Sequence, residues 1–198
     1  MSIRVREIET GVVNVPLRMP FDYGSVTLTE CPLLFVSTTV DVDGNRQHGI
    51  ASETIAPRWF LKDTTYEEAL AAMLSVIDAA CSNARSIEAS TVFDCWYQLY
   101  ERQRTWAENA EFPPLLWAFG VTLIERTLID AWCRNRNLTF ADAVRQGSLG
   151  IELDRIHADL AGMTPVDLLP FEPRRSIAVR HTIGHTDPLT EAELSPNQ

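Results

Sequence analysis

The spacing of the apolar residues changes once along this chain, and that change limits the folds available to it. Up to about residue 55, apolar and polar residues alternate as in strands with one buried face. Three segments carry this pattern: residues 3–15, 33–42 and 47–55. The second is rich in β-branched side chains, and Asp43-Gly44 is typical of a hairpin turn. The first part of the chain therefore predicts a three-stranded antiparallel meander.

A stretch flanked by prolines separates the first two predicted strands. Pro16 and Pro20 are expected to end the first strand, because proline cannot donate a hydrogen bond to a neighbouring strand. Residues 21–30, FDYGSVTLTE, are mostly polar and contain one glycine. We predict that they form a loop.

The middle of the chain predicts a helical bundle. Thr65 followed by Glu68 resembles a helix start, and apolar residues then recur at helical spacing. Helices are expected at residues 65–80, 89–103, 115–134 and 138–146. The third is apolar nearly all round, which predicts that it is buried.

The last part of the chain looks like the beginning of a second unit. Residues 147–175 are rich in Pro, Gly and Asp and are interpreted as a linker. Residues 176–184 predict one strand, and Thr190 with Glu191 and Glu193 predicts a helix start. The order of strands, helices and one new strand favours an α+β domain at residues 1–146, followed by the linker and an incomplete unit at residues 176–198.

Charge and hydropathy exclude several classes of protein. The formal net charge is −10, so nucleic-acid binding is not expected. No apolar run approaches the length of about 18 residues that a membrane-spanning helix needs. The first residues, MSIRVREIET, lack the apolar core of a secretory signal, which makes the cytoplasm the expected compartment.

The reactive side chains are few and widely spaced. Cys31, Cys81, Cys95 and Cys133 show no metal-binding spacing, so we expect them to behave as small buried hydrophobic residues. Lys62 is the single lysine among 17 basic residues. A mechanism that needs two lysines is therefore not available within this chain.

Several short motifs occur in a recognisable order. They are Val15-Pro16-Leu17 with Pro20-Phe21, Asp43-Gly44, Gly49-Ile50-Ala51-Ser52-Glu53, Pro57-Arg58-Trp59-Phe60 with Lys62, and Glu125-Arg126-Thr127-Leu128-Ile129-Asp130-Ala131. With the order of elements, they resemble the N-terminal capping domain of the enolase superfamily, in its mandelate racemase and muconate-lactonizing branch. Residues 177–194 resemble the first strand of the barrel that follows this cap. The last motif is similar to the family pattern E-x-A-L-x-D, with Thr127 in place of the usual alanine.

The resemblance implies Mg²⁺-dependent proton abstraction α to a carboxylate, as in acid-sugar dehydratases, racemases and cycloisomerases. In that family the base and the metal carboxylates lie on later barrel strands, to which no segment of this chain corresponds. We therefore expect no catalytic residue and no metal site here, and an incomplete member that is inactive alone. A non-catalytic interaction module and one half of a split enzyme are the alternatives.

The resemblance also implies which side chains would meet a substrate in a complete enzyme. They lie in the loop after the first strand, in a second wall of the site and at the end of the barrel strand. They are Phe21, Asp22, Tyr23, Trp59, His181 and Thr182. The substrate would be a small carboxylate such as an acid sugar, and a complementing barrel chain or a homo-oligomer is the expected partner. Without a barrel mouth, ordinary loop aromatics and exposed imidazoles are the simpler interpretation.

Two carboxylates on the predicted buried helix raise a separate question. Glu125 and Asp130 need partners if they are buried, and Arg126, Arg134 or a backbone donor could supply them. Structural pairing is favoured over acid–base catalysis. His48 has no supporting neighbour in the sequence.

Overall fold

The structure is a computed structural model, and it describes residues 2–23, 26–180 and 188–194 of the protein. The fold is α+β, as predicted, with helices packed on one face of an antiparallel sheet. The strands are β1 (Ile3–Tyr23), β2 (Val26–Val42), β3 (Asn45–Thr54) and β4 (Glu88–Ala89). Among the described residues the sheet order is β3-β2-β1-β4, so a short strand after the first helix extends the predicted meander.

The helical layer follows the predicted order. Its members are α1 (Tyr66–Ala84), α2 (Val92–Asn109), α3 (Pro114–Arg136), α4 (Phe140–Arg145) and α5 (Pro165–Leu168). Single 3-10 turns lie at Pro57–Trp59, Leu153–Arg155, Ala158–Leu160 and Glu191–Glu193. None of the helices in the described residues is long and apolar enough to cross a membrane.

Threonine side chains begin three of the helices. At α1, the Thr65 hydroxyl accepts from the N–H of Glu68 (3.2 Å), and the Glu68 carboxylate accepts from the N–H of Thr65 (3.0 Å). This capping box lies at the predicted helix start and satisfies backbone groups that a helix start leaves unpaired. Hydrogen bonds from Thr65 also lower the pKa of Glu68. Thr91 and Thr139 begin α2 and α4 by accepting the N–H three residues further on.

The core lies between the sheet and α3, which is buried as its apolar sequence predicts. Leu123 and Ile124 of α3 are almost fully buried, as are Val36 and Val40 of β2 on the facing side. Gly120 brings α3 close to α1, because an added Cβ would lie 2.4 Å from the carbonyl oxygen of Val76. The third helix therefore determines how the other helices and the sheet are spaced.

α3 also covers the free edge of β3. The Asp130 carboxylate accepts from the N–H of Ile50 (3.0 Å), and Arg126 donates to the carbonyl oxygen of Ser52 (3.1 Å). Gly49 lies beneath the helix, where an added Cβ would be 1.9 Å from the carbonyl oxygen of Thr127. Side chains of the helix thus replace the neighbouring strand that this edge lacks.

The opposite edge of the sheet is covered only at its beginning. β4 pairs with Ile3 and Arg4 of β1. Arg85 then donates to the carbonyl oxygen of Ile8 (3.3 Å). Beyond Ile8, no strand among the described residues pairs with this side of β1.

The segment predicted as a linker is docked at its beginning. The N–H of Phe93 in α2 donates to the carbonyl oxygen of Leu149 (3.0 Å). Arg155 pairs with Asp94 (2.8 Å) and lies 3.9 Å from the centroid of the Tyr97 ring. Burial raises the pKa of Asp94, but hydrogen bonds from Ser90 and Arg155 outweigh it, so the pKa is lowered overall.

The predicted barrel strand is not a strand in its described part. Residues 176–180 have no regular secondary structure, and Ile177 and Val179 are 83% and 88% exposed. A strand needs a neighbour for its backbone hydrogen bonds, and this segment has none among the described residues. The predicted helix start is one 3-10 turn, in which Thr190 donates to Glu193 (3.0 Å).

Candidate functional site

A two-stranded arm projects beyond the end of β3. We call residues 14–23 of β1 and 26–32 of β2 the arm, because β3 pairs with β2 only from Leu33 onward. In the arm, β1 and β2 pair only with each other. Apolar side chains at its base and tip are exposed, including Val13, Val15 and Phe21.

The predicted loop at residues 21–30 is therefore wrong, and the prolines do not end β1. Pro16 pairs with Glu30 and Phe21 with Leu28, so four residues, 17–20, lie opposite the single residue Thr29. This bulge accommodates Pro20, because residues within a bulge need not donate to the neighbouring strand. The strands then resume pairing up to the arm tip.

The three predicted contact residues of the first strand lie together at this tip. Phe21 is 55% exposed. The backbones of Asp22 and Tyr23 pair with Thr27 and Val26 at the end of the arm. An exposed aromatic ring at the tip of a narrow arm suits contact with another surface or with a ligand beneath it.

Trp59 lies near the base of the arm. Ile55, which follows β3, donates its N–H to the carbonyl oxygen of Pro32 (2.9 Å), and the turn Pro57–Trp59 comes next. The Trp59 side chain is 59% exposed. The neighbouring Phe60 packs edge-on against Phe119 of α3, with ring centroids 5.5 Å apart. Trp59 therefore lies on the surface, whereas Phe60 packs against the core.

His181 and Thr182 lie outside the described residues, and so does His185. Their position at the end of a barrel strand therefore stays a prediction.

The sequence missed a polar row across the outer face of the sheet. Glu7, Thr39 and His48 occupy paired positions on β1, β2 and β3. The Thr39 hydroxyl lies 3.5 Å from the Glu7 carboxylate and 3.3 Å from Nδ1 of His48. The expectation that His48 has no supporting neighbour is wrong, because strand pairing brings distant residues together. The contacts are long for hydrogen bonds, and they favour a structural role.

The two carboxylates of α3 have different surroundings. Asp130 pairs with Arg134 (2.9 Å) and caps the N–H of Ile50, which confirms structural pairing for this residue. Glu125 is half-buried, and no residue in the described part forms a hydrogen bond with it. Burial raises its pKa, and the nearby charge of Arg126 only partly opposes the rise.

An open groove of about 760 Å³ runs along α3 toward α4. Ile129 and Phe140 supply apolar surface, and Arg126 and Arg134 supply positive charge. Both arginines already pair with carboxylates, Glu53 and Asp130. The groove contains none of the predicted contact residues.

The described residues offer no metal-binding group, and three of the cysteines are buried. No three His, Cys, Asp or Glu side chains of residues 2–23, 26–180 and 188–194 converge as metal ligands would. Burial raises the pKa of Cys95 to about 12, and it raises the pKa of Cys81 and Cys133 as well. These thiols stay protonated near neutral pH and behave as buried apolar groups.

No family model and no curated protein matches the chain, but several solved structures contain a similar arrangement. A mandelate racemase/muconate lactonizing enzyme-like protein from Rubrobacter xylanophilus aligns with a TM-score of 0.48 and 17% identity, over 72% of this chain and 33% of its own. An enolase from alpha pretobacterium bal199, described with bound Mg, aligns with a TM-score of 0.49 and 13% identity, over 71% and 34%. The L-Ala-D/L-Glu epimerase from Bacillus subtilis gives 0.41 and 18%, over 67% and 32%.

This chain thus spans about a third of the length of the solved structures that it matches. The described fold is similar to part of each. With identities below 25% and TM-scores below 0.5, the likeness assigns neither a family nor an activity to the chain.

Proposed function

We propose that this chain supplies the capping unit of a Mg²⁺-dependent enzyme of the mandelate racemase and muconate-lactonizing type. Such enzymes abstract a proton α to a carboxylate and act as acid-sugar dehydratases, racemases or cycloisomerases. The support is the motif order in the sequence, together with a meander followed by helices in the fold. A (β/α) barrel would supply the base and the metal ligands.

The arm is the observation that carries this proposal. A two-stranded ribbon is by itself marginally stable in water, and this one carries Phe21 exposed at its tip. Such a ribbon is useful where it closes over another surface. In the proposed enzyme the tip covers the barrel mouth, and Phe21, Asp22 and Tyr23 meet the substrate carboxylate or its chain. Trp59 forms a second wall of the site.

The residues that the structure describes do not fit a magnesium site. Among the described residues no carboxylate group of the required kind converges. In the proposed enzyme this chain therefore supplies no metal ligand. Its role in the proposed enzyme is to exclude water and to orient the substrate, both of which lower the barrier to proton transfer.

Exchange of the α proton tests the proposal. The chain would be mixed with a separately expressed barrel from an enzyme of this type, with Mg²⁺ and acid-sugar substrates in D₂O, and exchange followed by NMR. The mixture should exchange the proton, and the chain alone should not. Phe21→Ala should reduce the rate of the mixture about tenfold, because a misplaced substrate reacts more slowly.

Phe171→Ala provides the matched control, since this ring is fully exposed and lies outside the arm. Exchange by the chain alone would contradict the proposal that the barrel carries the chemistry. Equal rates for the Phe21→Ala and Phe171→Ala mixtures would contradict the role of the arm.

The alternative is a non-catalytic interaction module. The uncovered edge of β1 favours it, because an unpaired strand edge offers a ready surface for another chain. A specific partner of the pure chain that binds equally well without a barrel and without Mg²⁺ would support this alternative.

A further inference from the structure

The free edge of β1 has backbone groups without partners. The carbonyl of Ile8 accepts from Arg85 and therefore points away from β2. Because backbone groups alternate along a strand, Thr10, Val12 and Asn14 also direct their N–H and C=O groups away from β2. Among the described residues nothing pairs with these groups.

This edge also lacks the usual protection against a new strand. Residues 10–15 read TGVVNV, with no charge and no proline. Natural sheets protect long edges with lysine, proline, bulges or a covering element. Here the first proline is Pro16, and the bulge begins after it. Five or six residues are thus open to strand addition.

A second segment, residues 174–180, has a strand-like sequence and an exposed surface. Residues 174–180, RRSIAVR, place Ile177 and Val179 two positions apart, as on one face of a strand. Both side chains are more than four-fifths exposed, and the segment pairs with no strand in the described part of the chain. It has the pattern of a strand without the neighbour that a strand requires.

The charges of the edge and the segment are complementary. Glu7 and Glu9 precede the free edge, whereas the segment contains Arg174, Arg175 and Arg180. Antiparallel addition with Ile177 opposite Val12 would place Arg180 opposite Glu9. Opposite charges in such cross-strand positions favour pairing.

The path of the chain favours a second molecule over the same one. Arg145 of α4 donates to the carbonyl oxygen of Pro170 (3.0 Å), which holds this point beside α4. α4 follows the end of α3, where Arg136 pairs with Asp43 in the β2–β3 turn. From that end of the sheet, Val12 lies about 30 Å along β1. The six residues from Phe171 to Ile177 can span only about 20 Å.

We propose that residues 174–180 of one molecule add as an antiparallel strand to the free edge of β1, residues 10–14, in a second copy of the chain. The exchange is reciprocal, so it closes into a two-fold dimer and does not propagate. This inference goes beyond the proposed enzymatic role and does not depend on it. The joined strand extends the sheet and covers Ile177 and Val179.

The molar mass of the purified chain, measured by light scattering over a concentration series, tests the proposal. The natural chain should reach twice the 22.3 kDa mass of one molecule. Val179→Pro should raise the dimer dissociation constant at least about tenfold, because Val179 lies opposite Thr10 in this register and proline removes the N–H that would donate to the edge. Glu172→Pro, outside the segment and also exposed, should leave the constant unchanged.

A charge exchange tests the register. Glu9→Arg and Arg180→Glu should each raise the dissociation constant about threefold, and the double variant should restore it, since an exposed ion pair contributes only modestly to binding. Glu108→Arg, the same charge change on α2, should have no effect.

A monomer at every concentration would overturn the proposal. A dimer that survives Val179→Pro would overturn it as well, because the edge would then hold another occupant. Failure of the double charge variant to recover would overturn the proposed register and partner.

Discussion

Two glycines occupy positions where an added side chain would meet the backbone of a neighbouring helix. Gly49 of β3 lies under α3, and Gly120 of α3 lies against the backbone of α1. Neither needs a positive φ, so the requirement is one of space and not of backbone conformation. Each allows two backbones to approach more closely than any side chain would permit.

Gly49→Ala should therefore destabilise the protein by about 3 kcal/mol, because the added Cβ would meet a backbone oxygen that cannot rotate away. Urea unfolding followed by circular dichroism measures this change. Gly11→Ala is the matched control, since an added Cβ there has nothing within 4 Å. It should leave stability unchanged or raise it slightly. Equal destabilisation by the two variants would disprove the close approach of α3.

The ionisation of Glu125 should lower the stability of the folded protein as the pH rises, which is opposite to the usual effect of a carboxyl group. Its folded-state pKa is raised by burial above the ordinary value of 4.5, so the unfolded chain loses its proton at a lower pH than the folded one. Stability should then fall as the pH rises from 4.5 through the folded pKa. Glu125→Gln should make the protein more stable at pH 7, with the gain vanishing below pH 4.5.

Unfolding by urea at a series of pH values measures the difference between Glu125→Gln and the natural chain. Glu108→Gln, on an exposed position of α2, serves to show the effect of the substitution itself. A Glu125→Gln variant that is less stable at pH 7 would mean that the carboxylate has a favourable partner in the folded state.

At the scale of the elements, α3 has two roles. It forms the centre of the core, and its polar side chains cover the edge of β3. Asp130 and Arg126 reach the backbone of Ile50 and Ser52, where a fifth strand would otherwise pair. The two edges of the sheet are therefore unequal, with β3 covered and β1 open over residues 10–14.

Asp130→Ala should expose this covered edge. The N–H of Ile50 loses its acceptor, which should cost about 1–2 kcal/mol of the free energy of unfolding. In hydrogen exchange, the Ile50 amide should exchange faster, whereas the Ala51 amide, which faces β2, should keep its protection. Asp78→Ala on exposed α1 surface is the control. Unchanged exchange at Ile50 would show that Asp130 does not cover the edge in solution.

The sequence alone was enough to predict those helices and strands whose local residue pattern matches their surroundings in the fold. The helix start at Thr65 and the buried character of α3 follow from neighbouring residues alone. The arm could not be predicted in this way, because Pro16 and Pro20 indicate the end of a strand. Only the bulge opposite Thr29 allows the two strands to continue beyond them. The contact between Thr39 and His48 depends on strand register, which no local pattern specifies.

At the scale of the whole molecule, the chain beyond α4 is attached at few points. Arg155 provides one of them, since it pairs with Asp94 and stacks on the ring of Tyr97. Arg145 provides another through the carbonyl oxygens of Pro170 and Phe171. Local opening of this part should thus cost far less than unfolding of the sheet and helices.

Arg155→Ala should accelerate proteolytic cleavage within residues 150–175 about tenfold, because local opening then requires one contact less. The urea midpoint of the sheet and helices should stay unchanged. Arg104→Ala, another exposed arginine whose partners are carboxylates of α2, should change neither property. Cleavage of the Arg155→Ala variant at the natural rate would show that other contacts hold this segment.

The bulge in the arm has a consequence for how such a chain can change during evolution. Residues 17–20 lie opposite one residue, so the pairing of the tip is specified separately from the pairing of the sheet. An insertion or deletion within these four residues would alter how far the tip reaches while both registers are kept. Length variation here would change how far the tip reaches without disturbing the core, so the surroundings of the tip could change while folding is preserved.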